Sequence, residues 1–396
     1  MHKIICCQKM HIMKQKVRNP FVIGGYVSPE YFCDRETESK ELLSALLNHR
    51  NTAIISPRRM GKTGLIQHCL QFPEVRKNFY HFFIDIYATG SLSELVFMLG
   101  KEIFETLRPK GKRFVDHFFN VITSLRPALK LDPVTGIPIF DIGIGEIMAP
   151  EYSLEQIFTY LEKADKPCVV AIDEFQQIAK YPERNLEAIL RTYIQTCTNA
   201  TFIFSGSQRQ MMRNIFFSPS RPFYQSVSLI SLGAIELNTY RDFIVEKMEE
   251  GDRKIDNELV ERVYRLFEGH TWYVQNFFNR LYSAMEKGEE CTLQMVEDYV
   301  RVTVNSYEPM FEAIVGLLSA RQKELIVAIA KEGKAKGVTS ASFVRKHGLM
   351  SASTVQSALR QLLDKEFVTK EGDAYIVYDR FFGLWLSEKF GTGYTV

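Results

Sequence analysis

The sequence predicts an α/β chain in three parts: a parallel-sheet core holding a phosphate-binding loop (P-loop), an all-helical lid, and a C-terminal winged helix-turn-helix. Three observations predict it. Through about residue 235, short runs of β-branched and aromatic residues alternate with stretches of helical periodicity, the pattern of a parallel sheet faced by helices. The tripeptide Gly61-Lys62-Thr63 stands between one such run and the helix that follows. From about 237 to 310 only helical periodicity remains, and the last stretch changes again to three helices and a two-stranded wing.

Taken in order, residues 1 to 20 are expected to form a flexible, solvated leader. The first 29 residues include Lys3, Lys14, Lys16 and Arg18 and no acid, so a phosphate-seeking arm is the alternative. The core is expected over 21–235. ETESKELLSALLNHR (36 to 50) reads as an amphipathic helix, NTAIIS as a short strand ended by Pro57, and GLIQHCLQF as a helix. YHFFIDI (80 to 86) reads as a buried strand, and 91–107 as a helix with Ser91 as N-cap and Glu94 completing a capping box. Residues 131–150 break the pattern with glycine, proline and a Thr135-Gly136 turn, which predicts a β-hairpin insertion. A helix (153 to 165), the very apolar strand CVVAIDE, a helix (185 to 197), the strand TFIFSGS (201 to 207) and the strand VSLISLG (227 to 233) complete the core. The lid is expected over 236–310, ending near Glu308-Pro309, and the winged helix over 311–396.

Bulk properties narrow the class. A chain of 396 residues is long enough for two or three cores, and 46% hydrophobic residues suffice to fill them. With 24% charged residues and a net charge of +2, neither disorder nor binding to nucleic acid by charge alone is expected. The seven cysteines form no CxxC pair, so a zinc site is not expected and reduced thiols in the cytoplasm are. No stretch approaches the ~18 apolar residues of a membrane span.

The phosphate chemistry is expected at residues 56 to 64. A P-loop turns backbone N–H groups inward around the phosphates, places a lysine on the β/γ oxygens and a hydroxyl on Mg²⁺. Ser56, Pro57, Arg58, Arg59, Met60, Gly61, Lys62, Thr63 and Gly64 have that order, with Ser56 where the first glycine usually stands. A residue with a Cβ is therefore expected to make the tight turn. ATP and Mg²⁺ are the ligands this loop implies.

Four apolar residues, Val169 to Ile172, lead into Asp173 and Glu174. Two carboxylates at the C-terminal edge of a buried strand stand where α/β sheets bind ligands and call for a cation. Asp173 with Thr63 is expected to hold the metal, and Glu174 to orient and deprotonate the attacking water. The strand TFIFSGS then delivers Ser205 and Ser207, followed by Gln208 and Arg209, to the space between the two motifs. Serines at a strand end are also ordinary turn residues. Arg58, Arg59, Arg209 and Arg221 are candidates for the arginine that neutralises charge in the transition state, with a structural ion pair as the alternative for one of the loop pair.

On these residues the chain resembles the archaeal-type branch of the AAA+ and STAND P-loop ATPases, relatives of the origin-recognition ATPases. FCDRETESKELL (32 to 43) looks like that family's box near the adenine, PRRMGKT its loop, AIDEFQQI (171 to 178) its strand-and-acids motif, and FSGSQRQMM (204 to 212) its sensor strand. The resemblance implies an AAA+-like core with an ATP hydrolase activity that is slow without a partner. It also implies a base contact at Gly269 and His270, with Thr271 where proline is usual. Gln225 sits where several relatives have arginine, leaving Arg221 as the nearest substitute. Some relatives carry a nuclease-like domain after the winged helix; no nuclease chemistry is expected here.

Residues 320 to 396 hold twelve Lys and Arg against eight Asp and Glu. The recognition helix offers Ser351, Ser353, Thr354, Gln356, Ser357 and Arg360, which suit base edges and phosphates as well as a solvated face. Duplex DNA, a protein partner and self-association are all open. The leading expectation is an ATP-driven switch; the rivals are a DNA-binding regulator and an interaction scaffold in which ATP is structural.

Overall fold

The computed structural model describes residues 18–131, 138–140, 147 and 149–391. By its contacts the chain divides into two compact units: Gly24–Tyr240 with Phe267–Tyr273, and Arg241–Leu266 with the described residues up to Ile23 and from Val274 onward. Among the described residues no helix is long and apolar enough to cross a membrane.

The first unit begins with α1 (Glu36–Leu47), β1 (Thr52–Ile55), α2 (Lys62–Leu70), α3 (Pro73–Asn78) and β2 (Tyr80–Asp85). It continues through α4 (Leu92–Leu107), α5 (Lys112–Val121), β3 (Leu129–Leu131), β4 (Pro138–Phe140), α6 (Pro150–Glu162) and β5 (Cys168–Asp173). A 3₁₀ turn at Phe175–Lys180, then α7 (Leu186–Thr196), β6 (Ala200–Gly206), α8 (Arg209–Phe217) and β7 (Ser228–Ser231) complete it. The main sheet has the order β2-β5-β6-β1-β7, and every pairing is parallel.

Both faces of this sheet are covered, which is why its strands read as continuous apolar runs. Alternate residues go to opposite sides. Ala53, Phe82, Val170 and Phe204 join the core that Leu95, Leu99, Ile157 and Leu190 build from α4, α6 and α7. Ile54, Val169, Ala171 and Ile203 join the opposite core with Leu42, Leu65 and Ile66 of α1 and α2. The register sets the strand ends level: Asp85 pairs with Asp173, and Ile55 with Gly206. At that C-terminal edge β6 lies between β1 and β5, so whatever follows β6 stands between the P-loop and the two acids.

Two local expectations are corrected. Ser91 caps α4 by accepting from the Glu94 N–H at 3.3 Å, but the Glu94 carboxylate accepts from Gly90 N–H at 2.6 Å, one residue earlier than a capping box requires. The hairpin pairs Leu129–Leu131 with Pro138–Phe140, so its ladder starts before the expected insertion, and the Thr135-Gly136 turn lies outside the described residues. Near Glu308-Pro309, where the lid is expected to end, a new helix begins with Pro309 in its first turn, where its missing N–H costs nothing. The sequence reading also had no element at 108–128, where α5 packs Phe118 on Phe104 and Tyr160.

The helices that follow are α9 (Leu237–Glu250), α10 (Asn257–Leu266), α11 (Thr271–Ala284), α12 (Leu293–Asn305) and α13 (Glu308–Gly316). Then come α14 (Ala320–Glu332), β8 (Ala335–Lys336), α15 (Ala341–Lys346), α16 (Ala352–Asp364), β9 (Val368–Glu371), β10 (Ala374–Val377) and α17 (Arg380–Phe390). Ser319 and Gln322 form a reciprocal capping box on α14, and Ser340 and Ser351 cap α15 and α16. The wing is a three-stranded antiparallel sheet, β8-β10-β9, one strand more than the sequence suggests. The aromatic run after it is α17, which sets Phe382 and Trp385 against Phe311 of α13 at 5.2 and 5.7 Å between ring centres.

Candidate nucleotide site

The P-loop leaves β1 at Ser56 and enters α2 at Lys62. The left-handed residues of the loop are Arg59 (φ 67°) and Gly61 (φ 90°), not Ser56. The tight turn therefore does not fall where a Cβ was expected to strain it. Ser56 is buried, its Oγ donating to the Pro57 carbonyl at 3.0 Å. Gly61 carries the conformation that glycine adopts without penalty, and it leaves the first N–H groups of α2 facing the loop. The loop is anchored from below by Arg35, a buried residue the sequence reading passed over. Its guanidinium donates to the Met60 carbonyl at 3.3 Å and the Gly233 carbonyl at 2.7 Å, and it pairs with Glu38.

Lys62 is 6% exposed, and its ammonium donates to the carbonyls of Ser56 (3.3 Å) and Pro57 (3.1 Å). Burial pushes its pKa down, while the carboxylates of Glu174 and Asp173 act against that shift. Thr63 Oγ1 donates to Asp173 Oδ2 at 2.6 Å. Asp173 Oδ1 accepts from Ser205 Oγ and from Glu174 N–H at 3.0 Å. The Thr63 hydroxyl and the Asp173 carboxylate thus offer adjacent hard oxygens, the donor set that suits Mg²⁺.

Glu174 is left-handed at φ 57°, a conformation rare for a residue with a Cβ. Its carboxylate accepts from Ser207 Oγ at 2.8 Å and from the Gln176 side-chain amide. Ser207 in turn accepts from Arg58 Nε at 3.3 Å, and the Arg58 guanidinium lies 5.5 Å over the Tyr87 ring. Gln176 is buried, a second residue the sequence reading missed. No sequence period marks it, because it lies in a 3₁₀ turn. A third is Asp85, whose Oδ1 accepts from Tyr87 N–H at 2.8 Å. Burial raises the Asp85 pKa, and the charges of Asp173 and Glu174 raise it further.

The remaining candidates divide. Gly64 lies in the first turn of α2, where a Cβ would meet Phe32 at 3.5 Å; Phe32 stacks on His68, which bonds the Tyr26 hydroxyl at 3.0 Å. Arg59 turns away from the acids: its guanidinium covers Trp272 at 4.3 Å and Tyr273 at 4.8 Å, and its carbonyl accepts from Trp272 N–H at 3.0 Å. Arg221 pairs with Glu187, and Gln225 bonds the Tyr224 hydroxyl at 3.2 Å. Arg209 opens α8, two residues after Ser207. Gly269 is left-handed (φ 68°), and His270 immediately precedes α11. Thr271 is the first residue of that helix, a position that also suits the proline of relatives.

Comparison with known proteins bears on the fold and the family. Residues 309–388 match the model of a probable winged helix domain. Among curated proteins none matches the chain. A solved Walker-type ATPase of Pyrococcus abyssi superposes with a TM-score of 0.61 at 18% identity, covering 93% of this chain and 99% of the other. The ORC1 protein of Aeropyrum pernix, solved in complex with DNA, has a TM-score of 0.53 at 14% identity over 94% and 97% of the two chains. The ORC2 protein of the same organism, solved as ADPNP-ADP complexes, reaches 0.56 at 12% identity over 94% and 97%. At these identities the likeness shows the fold: a P-loop ATPase core with a C-terminal winged helix. Residues 32–277 match the model of the ATPase domain predominantly from Archaea, more than half of the sequence, and the chain belongs to that family.

Proposed function

We propose that this chain is an Mg²⁺-dependent ATP hydrolase that acts as a molecular switch coupled to its winged helix. The observation that carries the reading is the pair of bonds joining the two motifs. Thr63 of the P-loop meets Asp173, while the next residue, Glu174, is held by Ser207. Bound Mg²⁺ supplies positive charge to the phosphate oxygens. Thr63 and Asp173 are the residues to hold it, Lys62 leaves the loop carbonyls for the β/γ oxygens, and the N–H groups of Arg58 to Gly64 cradle the phosphates. Glu174 accepts a proton from the attacking water, with Ser207 fixing its carboxylate. This reading assigns the base to Gly269 and His270 and the phosphate end to Arg209. A switch of the STAND kind follows if hydrolysis alters how α11 is held.

Lys62→Ala is expected to lose nucleotide binding, and Glu174→Gln to keep binding while losing hydrolysis. Equal hydrolysis by both variants sinks the assignment. The buried thiols Cys33, Cys69, Cys168, Cys197 and Cys291 support a reducing compartment, the cytoplasm.

For the winged helix we propose duplex DNA as the partner. The outward face of α16 exposes Ser353, Gln356, Ser357 and Arg360, and exposed Lys370 lies on the wing. The A. pernix ORC1 structure, of the same fold, is a DNA complex. Anisotropy titrations with duplex DNA should show affinity falling steeply with salt and weakening in Arg360→Ala. Binding insensitive to both changes would turn the search toward a protein partner or self-association.

A further inference from the structure

We propose that Arg58, from the P-loop of the same chain, is the arginine that neutralises the charge developing on the transferred phosphoryl group. The inference rests on the ATPase reading above and assigns it one more catalytic residue.

Arg58 and Glu174 share a hydroxyl. Arg58 Nε donates to Ser207 Oγ at 3.3 Å, and Ser207 donates to Glu174 at 2.8 Å. A permanent cation therefore stands one side chain away from the carboxylate that takes the water's proton. Its charge reaches the other phosphate-binding group as well, because Arg58 is among the influences on Lys62. The guanidinium rests on the face of Tyr87, which is 56% exposed. Two of the other arginines weighed from the sequence have different engagements. Arg59 is clasped by Trp272 and Tyr273, and Arg221 by Glu187, a partly buried partner.

In the step itself the water oxygen bonds to the γ-phosphorus as the bond from that phosphorus to the β–γ bridging oxygen breaks. ADP departs with the electron pair, and Glu174 receives the water's proton. Negative charge grows on the bridging oxygen and is spread over the three γ oxygens. Lys62 approaches from the α2 side and Arg58 from the Ser207 side. A fork of N–H donors matches two of those oxygens at once, which a lysine at this place would not.

The test compares wild type, Arg58→Ala and Arg58→Lys in single-turnover hydrolysis, ATP binding and binding of ADP with Mg²⁺ and aluminium fluoride. Arg58→Ala is expected to lose about 10³-fold or more in rate, to keep ATP affinity, and to recover part of the rate with added guanidinium ions. Arg58→Lys, which preserves charge, guards against a folding defect. An equimolar mixture of Arg58→Ala and Glu174→Gln is expected to stay inactive, since each chain lacks one half of the same site. Restored hydrolysis in that mixture, or an unchanged rate in Arg58→Ala, overturns the proposal. If wild type itself does not turn over, the hydrolase reading fails and the fluoride complex still decides on Arg58. A loss of its affinity in Arg58→Ala with ADP binding intact supports the role, and equal affinity overturns it.

Discussion

Thr63 Oγ1 and Asp173 Oδ2 lie 2.6 Å apart, a hydrogen bond between the first turn of α2 and the end of a strand two places away in the sheet. Neither residue reaches the other through sequence; the parallel register of β1, β6 and β5 brings them level. Removing the hydroxyl leaves one acceptor of Asp173 without its partner, at a cost of about 1 kcal/mol in stability. The larger effect falls on the metal. Thr63→Ala is expected to abolish the gain in nucleotide affinity that Mg²⁺ gives over EDTA, and Thr63→Ser to retain it. A full Mg²⁺ effect in Thr63→Ala would remove this hydroxyl from the ligand set.

Gly206 separates the two serines of β6, and a side chain there would force its neighbours to shift. A Cβ there would stand 2.5 Å from Met212 Sδ, 2.6 Å from Met212 Cγ and closer still to the Gln176 amide oxygen. Overpacking of this kind costs about 1–3 kcal/mol. Because Gln176 bonds Glu174, the strain passes to the carboxylate. Gly206→Ala is expected to lower the melting temperature and to cut hydrolysis far more than ATP binding. A variant that is destabilised with kcat unchanged would show that Gln176 does not position Glu174.

The parts legible in the sequence were those with a short-range cause. The buried strands showed as runs such as Val169 to Ile172 because both faces of the sheet are covered. The P-loop showed because its chemistry is written in consecutive residues. Arg35 and Asp85 did not show, since each acts on a residue brought near only by the fold, Met60 and Asp173 respectively; Gln176 is two residues from Glu174 but lies in a 3₁₀ turn that no sequence period marks. The helix α5, which packs against α6, was hidden because its N-cap is Gly111, which has no side chain to mark the start of a helix. The different engagements of Arg58 and Arg59, adjacent in the chain, were equally invisible. The left-handed turn at Arg59 sends the two guanidinium groups to different neighbours.

Asp85 gives a pH signature. Burial, then Asp173 and Glu174, raise its folded pKa above the unfolded value, so the native chain holds this proton more tightly than the unfolded one. Its contribution is therefore favourable below the unfolded pKa and turns into a penalty as pH rises through the folded pKa. Without nucleotide and metal, Asp85→Asn is expected to raise the melting temperature at neutral pH, while the gain disappears in acid. The amide oxygen still accepts from Tyr87 N–H, so the turn is kept. A gain equal at both pH values would point to packing rather than charge.

Arg59 ties the P-loop to the start of α11. Its guanidinium covers the rings of Trp272 and Tyr273 and bonds the Tyr273 hydroxyl, while its carbonyl holds Trp272 N–H at 3.0 Å. A residue in the phosphate-binding loop is thereby fixed to the helix that continues into the second unit. Truncation removes the cation from both rings at a cost of about 1 kcal/mol, which is roughly a fivefold change in an opening equilibrium. Arg59→Ala is expected to speed hydrogen exchange at the Trp272 amide by about that factor and to leave Glu174-dependent chemistry in place. Arg59→Lys should restore only part of the protection, because a point charge lacks the planar stack on Trp272. If ATP slows exchange at Trp272 in wild type but not in Arg59→Ala, the loop signals to α11 through this side chain. Equal slowing in both proteins would place the coupling elsewhere in the unit.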